Sequence, residues 1–152
     1  MFYWMKKRVL AFGAFDIIHP GHIFYLERAR RLGSELVVVV ARDSSIEREK
    51  GHPPVNDEKN RLIVVRALKP VDRAVLGLKT GSRLRVIARE KPQVIALGHD
   101  QAVTRSEVMR FLRENEMKAR VVRMPPFKRR KYASTAVRKK ISLGIDELFP
   151  LQ

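Results

Sequence analysis

Five short apolar runs alternate along this chain with longer amphipathic stretches, and that alternation limits its fold more than any other feature. Val9-Leu10-Ala11-Phe12, Leu36 to Ala41, Arg73 to Leu76, Val94-Ile95-Ala96-Leu97 and Ala119 to Arg123 read as strands. Between the first two, Ile23, Leu26 and Ala29 recur at helical spacing from Gly21 to Leu32, and Gly33 makes a C-terminal stop. Asp57 is an N-cap for a helix through Leu68, with Pro70 just beyond it. Arg83 to Glu90 reads as a short helix, Thr104 caps a helix through Asn115, and Ser134 caps another that runs to about Leu143. Apolar strands joined by helical crossovers predict an α/β fold with a five-stranded parallel sheet, covered by helices on both faces.

A length of 152 residues suits one domain, and 45% apolar residues is ordinary for a globular chain, so residues 1–152 are expected to form a single domain. Lys and Arg number 32 against 16 Asp and Glu, a formal charge of +16. Such an excess points to anionic partners: nucleotides, nucleic acid or acidic membrane surfaces. A charge-rich solvated surface accounts for much of it equally well. The absence of cysteine excludes disulfides, Cys-ligated zinc and a thiol nucleophile. No run approaches the roughly 18 apolar residues that span a membrane. Met1 to Met5 is apolar, but Lys6, Lys7 and Arg8 follow it, the reverse of a signal peptide, and the expected location is the cytoplasm.

In parallel sheets of this kind, ligands bind beyond the carboxyl ends of the strands. Those ends lead into Gly13 to His22, Arg42 to Lys50, Gly98 to Asp100 and Met124 to Thr135, read here as four loops around one site. The first loop leaves a buried strand and enters a helix, whose free N–H groups favour an anion. Gly13 allows close approach of the backbone to a ligand. His19 and His22 flank a Pro-Gly turn, so both imidazoles can face one point and stabilise charge growing on a phosphate.

The stretch Gly13 to His22 resembles the signature of the cytidylyltransferase-like nucleotidyltransferases, whose hallmark is His-x-Gly-His. The resemblance continues through Asp43, Lys50-Gly51, Glu58, Arg61, Val71-Asp72, Leu97-Gly98-His99-Asp100-Gln101 and Ser134-Thr135-Ala136-Val137-Arg138, covering roughly residues 9 to 141 in order. It implies a Rossmann-like three-layer domain. It also implies that His19, His22 and Lys50 act on the reacting phosphates. The nucleotide would meet Ala14, Phe15, Gly21, His22, Gly98, Asp100, Ser134, Thr135 and Arg138, with Asp43 and Arg61 near the acceptor. Asp16 is expected to order the first loop. Ala14 and Ala133 stand where many members carry threonine and serine, which removes one hydroxyl contact each.

Within this superfamily the chain is most similar to the small archaeal FAD synthases, which share a Leu-Gly-x-Asp-Gln segment. That resemblance implies ATP and FMN as substrates, FAD and pyrophosphate as products, and a homodimer. No acidic cluster has metal-ligand spacing, so a divalent cation, Mg²⁺, is expected to arrive on the triphosphate oxygens. The alternatives are a CTP-dependent glycerol-3-phosphate cytidylyltransferase, a pantetheine-phosphate adenylyltransferase, and a basic RNA-binding module without activity. His99 and Gln101 depart from the acidic residue and tryptophan that usually flank the aspartate in the glycerol-3-phosphate enzymes. Lys128-Arg129-Arg130-Lys131 reads as a solvated turn, a lid over anionic ligands or a nucleic-acid contact.

Overall fold

A computed structural model describes residues 6–127, 139, 141 and 142. The elements run β1 (Arg8–Gly13), α1 (Pro20–Arg30), β2 (Glu35–Val40), α2 (Asp43–Lys50), α3 (Glu58–Arg66), β3 (Arg73–Leu76), α4 (Arg85–Glu90), β4 (Val94–Leu97), α5 (Arg105–Glu114) and β5 (Arg120–Arg123). The five strands form one sheet in the order β3-β2-β1-β4-β5, and every pairing is parallel. This is the expected α/β architecture.

Successive residues of a strand point to opposite faces, and here both faces are covered. Val9 and Ala11 of β1 pack with Leu36, Val38 and Val40 of β2 against Leu26 and Ala29 of α1 and Val65 of α3. Leu10, Val37 and Val39 pack on the other face against Val86 and Ile87 of α4 and Val108 and Leu112 of α5. A fully buried aliphatic side chain contributes about 1.5–3 kcal/mol, so each β-branched run favours strand pairing and layer formation together.

The helix ends follow from their caps. Thr104 and Glu107 form the reciprocal capping box of α5, and the Asp57 side chain accepts from Asn60 N–H at the start of α3. Arg42 to Lys50 departs from expectation: it forms helix α2 rather than a loop. Its one buried residue, Ile46, gives no apolar periodicity to read. What defines this helix is charge and a stop: Asp43 in the first turn, Arg48 and Lys50 in the last, and Gly51 left-handed at φ 75° as C-cap. The helix expected from Ser134 to Leu143 falls largely outside the described residues.

Strand β1 sits where the chain order reverses, with β2 on one side and β4 on the other. Pairing with β2 continues to Gly13 opposite Val40, but pairing with β4 stops at Ala11 opposite Ala96. Beyond Ala11 the two strands part, and the Tyr25 hydroxyl fills the gap. It donates to Ala96 O at 2.8 Å and accepts from Phe12 N–H at 3.2 Å. That divergence opens the crevice in which the site lies.

Candidate active site

A cavity of about 640 Å³ occupies the carboxyl end of the sheet. Its wall brings together Ala14, Phe15, His19, Gly21, His22, Lys50, Gly98 and Asp100, as the sequence predicts for one shared site. Arg42, Ser45 and Phe127 line it from two of the predicted strand-end segments, and Tyr25, Leu78 and Arg83 also line it although no pattern in the sequence singled them out. Ser134, Thr135, Arg138 and the basic run Lys128 to Lys131 lie outside the described residues.

The histidine pair is built into the start of α1. His19 is the N-cap and Pro20 follows it at the first helical position. His19 Nδ1 accepts from Gly21 N–H at 3.1 Å, and His22 Nδ1 accepts from His19 N–H at 3.4 Å, closing a capping box made of two imidazoles. The rings stack with centroids 3.8 Å apart. Because each Nδ1 accepts a hydrogen bond, the neutral ring carries its proton on Nε2, leaving that N–H for a ligand. Gly21 supplies space: a Cβ there would stand 2.9 Å from His19 Cε1, too close for the stacked arrangement.

Burial keeps both rings neutral. Desolvation lowers the His22 pKa to about 3, helped by the neighbouring His19 and by Lys50 and opposed by Asp100. Desolvation also lowers that of His19, again against the pull of Asp100. Two neutral donors side by side avoid the repulsion that two imidazolium ions 3.8 Å apart would suffer.

Phe15 forms the floor beneath His22. Its backbone is left-handed at φ 52°, its side chain is buried, and its ring centroid lies 5.3 Å from that of His22. A Cβ on Gly13 would sit 2.6 Å from Phe15 Cε2 and Cζ. Gly13 is thus small to admit the phenylalanine ring, a reason the sequence reading, which assigned it to a ligand, did not supply. Asp16 orders the loop as expected: its carboxylate accepts from Val55 N–H at 2.9 Å and Asn56 N–H at 2.8 Å.

Asp43 and Arg61 do not line this cavity. The Arg61 side chain is 0% exposed and absent from the cavity wall. It donates to Ala14 O at 2.6 Å, Ala41 O at 2.7 Å, Asn56 O at 2.9 Å and Asp43 Oδ1 at 2.7 Å. Glu58 joins the same network, accepting from Asp43 N–H at 3.0 Å and Arg42 Nη1 at 2.7 Å. Burial alone would raise the Glu58 pKa, but the Asp43 N–H and the Arg42 guanidinium outweigh it and hold the carboxyl below its ordinary range. This network braces the first loop against α2 and α3. A buried arginine with four bonds is a tie between segments, and sequence alone cannot tell it from a ligand-binding one.

At the other end of the cavity, Arg123 holds the segment after β4, donating to Gly98 O at 2.7 Å and Val103 O at 2.8 Å. Gln101 Nε2 donates to Phe12 O. Asp100 remains exposed, its charge directed at the two histidines. Lys50 is exposed at the end of α2 and makes no ion pair among the described residues. Among the described residues, no three His, Asp or Glu side chains converge as a metal cage.

Known proteins are similar to this chain in sequence and fold. The cytidylyltransferase-like family profile matches residues 10–140. The FAD synthase of Aciduliprofundum boonei is 48% identical over 79% of each chain. That of Thermoplasma acidophilum is 44% identical over 93% of this chain and 99% of its own. A solved structure described as a lipopolysaccharide core biosynthesis protein, from Thermoplasma volcanium, superimposes with a TM-score of 0.76 at 41% identity, covering 81% of this chain and 99% of that one. Matched from residue 10 to residue 140 and aligned with relatives along nearly their whole length, the chain belongs to the cytidylyltransferase-like family.

Proposed function

We propose that this chain is an FAD synthase: it transfers the adenylyl group of ATP to the phosphate of FMN, forming FAD and releasing pyrophosphate. The transfer chemistry rests on the two neutral imidazoles at the start of α1, and the choice of acceptor rests on relatives named FAD synthase at 40–48% identity.

An FMN phosphate oxygen attacks the α-phosphorus of ATP and the bond to the bridging oxygen breaks, so pyrophosphate carries away the electron pair. The attacking oxygen is already ionised at neutral pH, so no strong general base is needed. Catalysis then consists of alignment and of neutralising charge that grows on phosphate oxygens. His19 and His22 donate through Nε2 to those oxygens, and Lys50 adds a positive charge beside them. Gly98 and Asp100 lie on the wall that would meet base and ribose, while Ser134, Thr135 and Arg138 would hold the terminal phosphates. Asp43 and Arg61 act as positioning residues behind the first loop and α2. A divalent cation, Mg²⁺, carried in on the triphosphate oxygens would neutralise part of their charge.

The described residues contain no helix long and apolar enough to cross a membrane. This reading puts a homodimer of the chain in the cytoplasm, acting on small molecules rather than nucleic acid. The test is an assay of purified protein with each triphosphate and acceptor, following pyrophosphate and flavin. FAD from ATP and FMN is the expected result. No FAD, together with turnover of CTP and glycerol-3-phosphate, would show that the acceptor is misassigned. Salt-sensitive RNA binding without any turnover would favour a binding module instead.

A further inference from the structure

The arginines of the cavity wall are not equivalent. Arg42 donates to Gly77 O at 2.7 Å as well as to Glu58, so its guanidinium group is held by the fold. Arg83 is different. It lies in the loop joining β3 to α4, it lines the cavity, and its one hydrogen-bond partner among the described residues is the Glu49 carboxylate on α2. Both side chains are exposed at the cavity rim, 39% for Arg83 and 40% for Glu49.

A second carboxylate also feels this arginine. Glu107, in the first turn of α5, is held below its ordinary range first by the N–H and hydroxyl of Thr104 and then by the charges of Arg83 and Arg110. The pairing with Glu49 holds Arg83 against α2, whose residues Ser45, Ile46, Glu49 and Lys50 line the cavity, so a cation there faces whatever enters beside that helix.

The substrates bring a triphosphate and a phosphate monoester. Of the cavity's lysines and arginines among the described residues, only Lys50 and Arg83 are not tied to main chain or to a buried carboxylate. An exposed Arg–Glu pair is weak and screened by salt. Arginine on a phosphate makes two parallel charge-assisted hydrogen bonds and is the stronger contact. We infer that Arg83 leaves Glu49 for a substrate phosphate, so that the ion pair is the resting position of a phosphate-binding arginine. Glu49 competes with the ligand and neutralises Arg83 while the cavity is free. The inference takes its candidate ligands from the adenylyl-transfer reading, and two sources supply the phosphate: FMN, or the terminal phosphates of the nucleotide.

The test measures binding alone. Wild type, Arg83→Gln and Glu49→Gln are titrated calorimetrically with FMN, and separately with an ATP analogue carrying a methylene bridge between the α- and β-phosphorus. Arg83→Gln is expected to weaken one of the two ligands roughly tenfold or more, the loss of a charged bidentate contact. Glu49→Gln is expected to tighten that same ligand roughly two- to fivefold by removing its competitor. A loss confined to FMN identifies the acceptor phosphate as the target, and a loss confined to the analogue identifies the triphosphate. Unchanged binding of both ligands by Arg83→Gln overturns the inference. Weakening of the same ligand by both variants also overturns it, because the pair is then a fixed piece of wall. Both substitutions lie at exposed positions, and thermal melts check that the variants remain folded. Wild type that binds both ligands yet forms no FAD removes the functional reading and leaves the Arg83 result interpretable. Wild type that binds neither ligand removes both.

Discussion

Two regions of the same cavity use polar groups in opposite ways. Behind α2 the charges are paired around the buried Arg61: Arg61, Asp43, Glu58 and Arg42 bond to one another and to the main chain of three segments. At the start of α1 the polar groups are rings held neutral, each bonded through Nδ1 to its own helix terminus. The paired charges fix where the loops stand. The neutral rings leave N–H donors free to strengthen as charge grows on the reacting phosphates. Interactions that strengthen in that way raise turnover instead of only tightening binding. Variants in the first region should therefore lose stability first, and variants in the second should lose rate first.

The largest effect is expected from Arg61→Met. It leaves Asp43 and the carbonyls of Ala14, Ala41 and Asn56 without their donor, and each buried acceptor left unsatisfied costs about 1–3 kcal/mol. Urea unfolding measures it. Arg61→Lys restores the charge without the planar fork, so it should recover only part of the loss. A cost under about 1 kcal/mol for Arg61→Met would break the contrast, since so small a loss is typical of an exposed pair.

His22→Ala should show the reverse pattern. Turnover is expected to fall by at least ~10², about 2.7 kcal/mol of transition-state stabilisation, with stability changed by about 1 kcal/mol as for a lost cap. Wild-type turnover in this variant would remove the mechanism.

The pH dependence separates the two regions further. The His22 pKa lies at about 3 in the fold against 6.5 for an ordinary histidine, because of burial first and then His19. Between those values the unfolded chain binds more protons, so this contribution is intact above pH 6.5 and is lost as pH falls toward 3. The Glu58 carboxyl is held below its ordinary 4.5, so its contribution is lost only as pH falls below that value. Thermal unfolding between pH 7 and 5 should therefore report the histidines, with a Tm that falls on acidification and falls less in His22→Ala. An NMR titration of the His22 ring with a midpoint near 6.5 would contradict this assignment.

Much of this was legible in the sequence, and the failures are instructive. The strands were readable because Leu36 to Val40 and Val94 to Leu97 are buried on both faces, which imposes uninterrupted apolar runs. The histidine pair was readable because Pro20 and Gly21 mark a helix start. Helix α2 was not, since Ile46 alone faces the core and the remaining residues are held by charge and by the Gly51 cap. The bonds of Arg61 were hidden for a related reason: a buried arginine and a ligand-binding one are the same letter, and the carbonyls of Ala14, Ala41 and Asn56 show up only in the fold. Arg83 passed unnoticed among 32 cations, because what separates it from Arg42 is the partner each one keeps.

Gly13 gives the smallest and most local test, and it lies where the two regions meet. The glycine ends β1, the carbonyl of the next residue accepts from Arg61, and Phe15 lies under the His22 ring. Gly13→Ala places a Cβ 2.6 Å from the Phe15 ring, in a loop whose backbone is pinned by Arg61 on one side and by Asp16 on the other. The ring must give way, and the cost of such overpacking is about 1–3 kcal/mol in urea unfolding. If the clash is with Phe15, then Phe15→Ala in the same chain should relieve it. The double variant should cost at least about 1 kcal/mol less than the sum of the two single ones. Additive costs would mean that Gly13 is needed for something other than the phenylalanine, and the floor beneath His22 would have to be sought elsewhere. Sub-additive stability with turnover still depressed would show the ring acting on the histidine as well as on the fold.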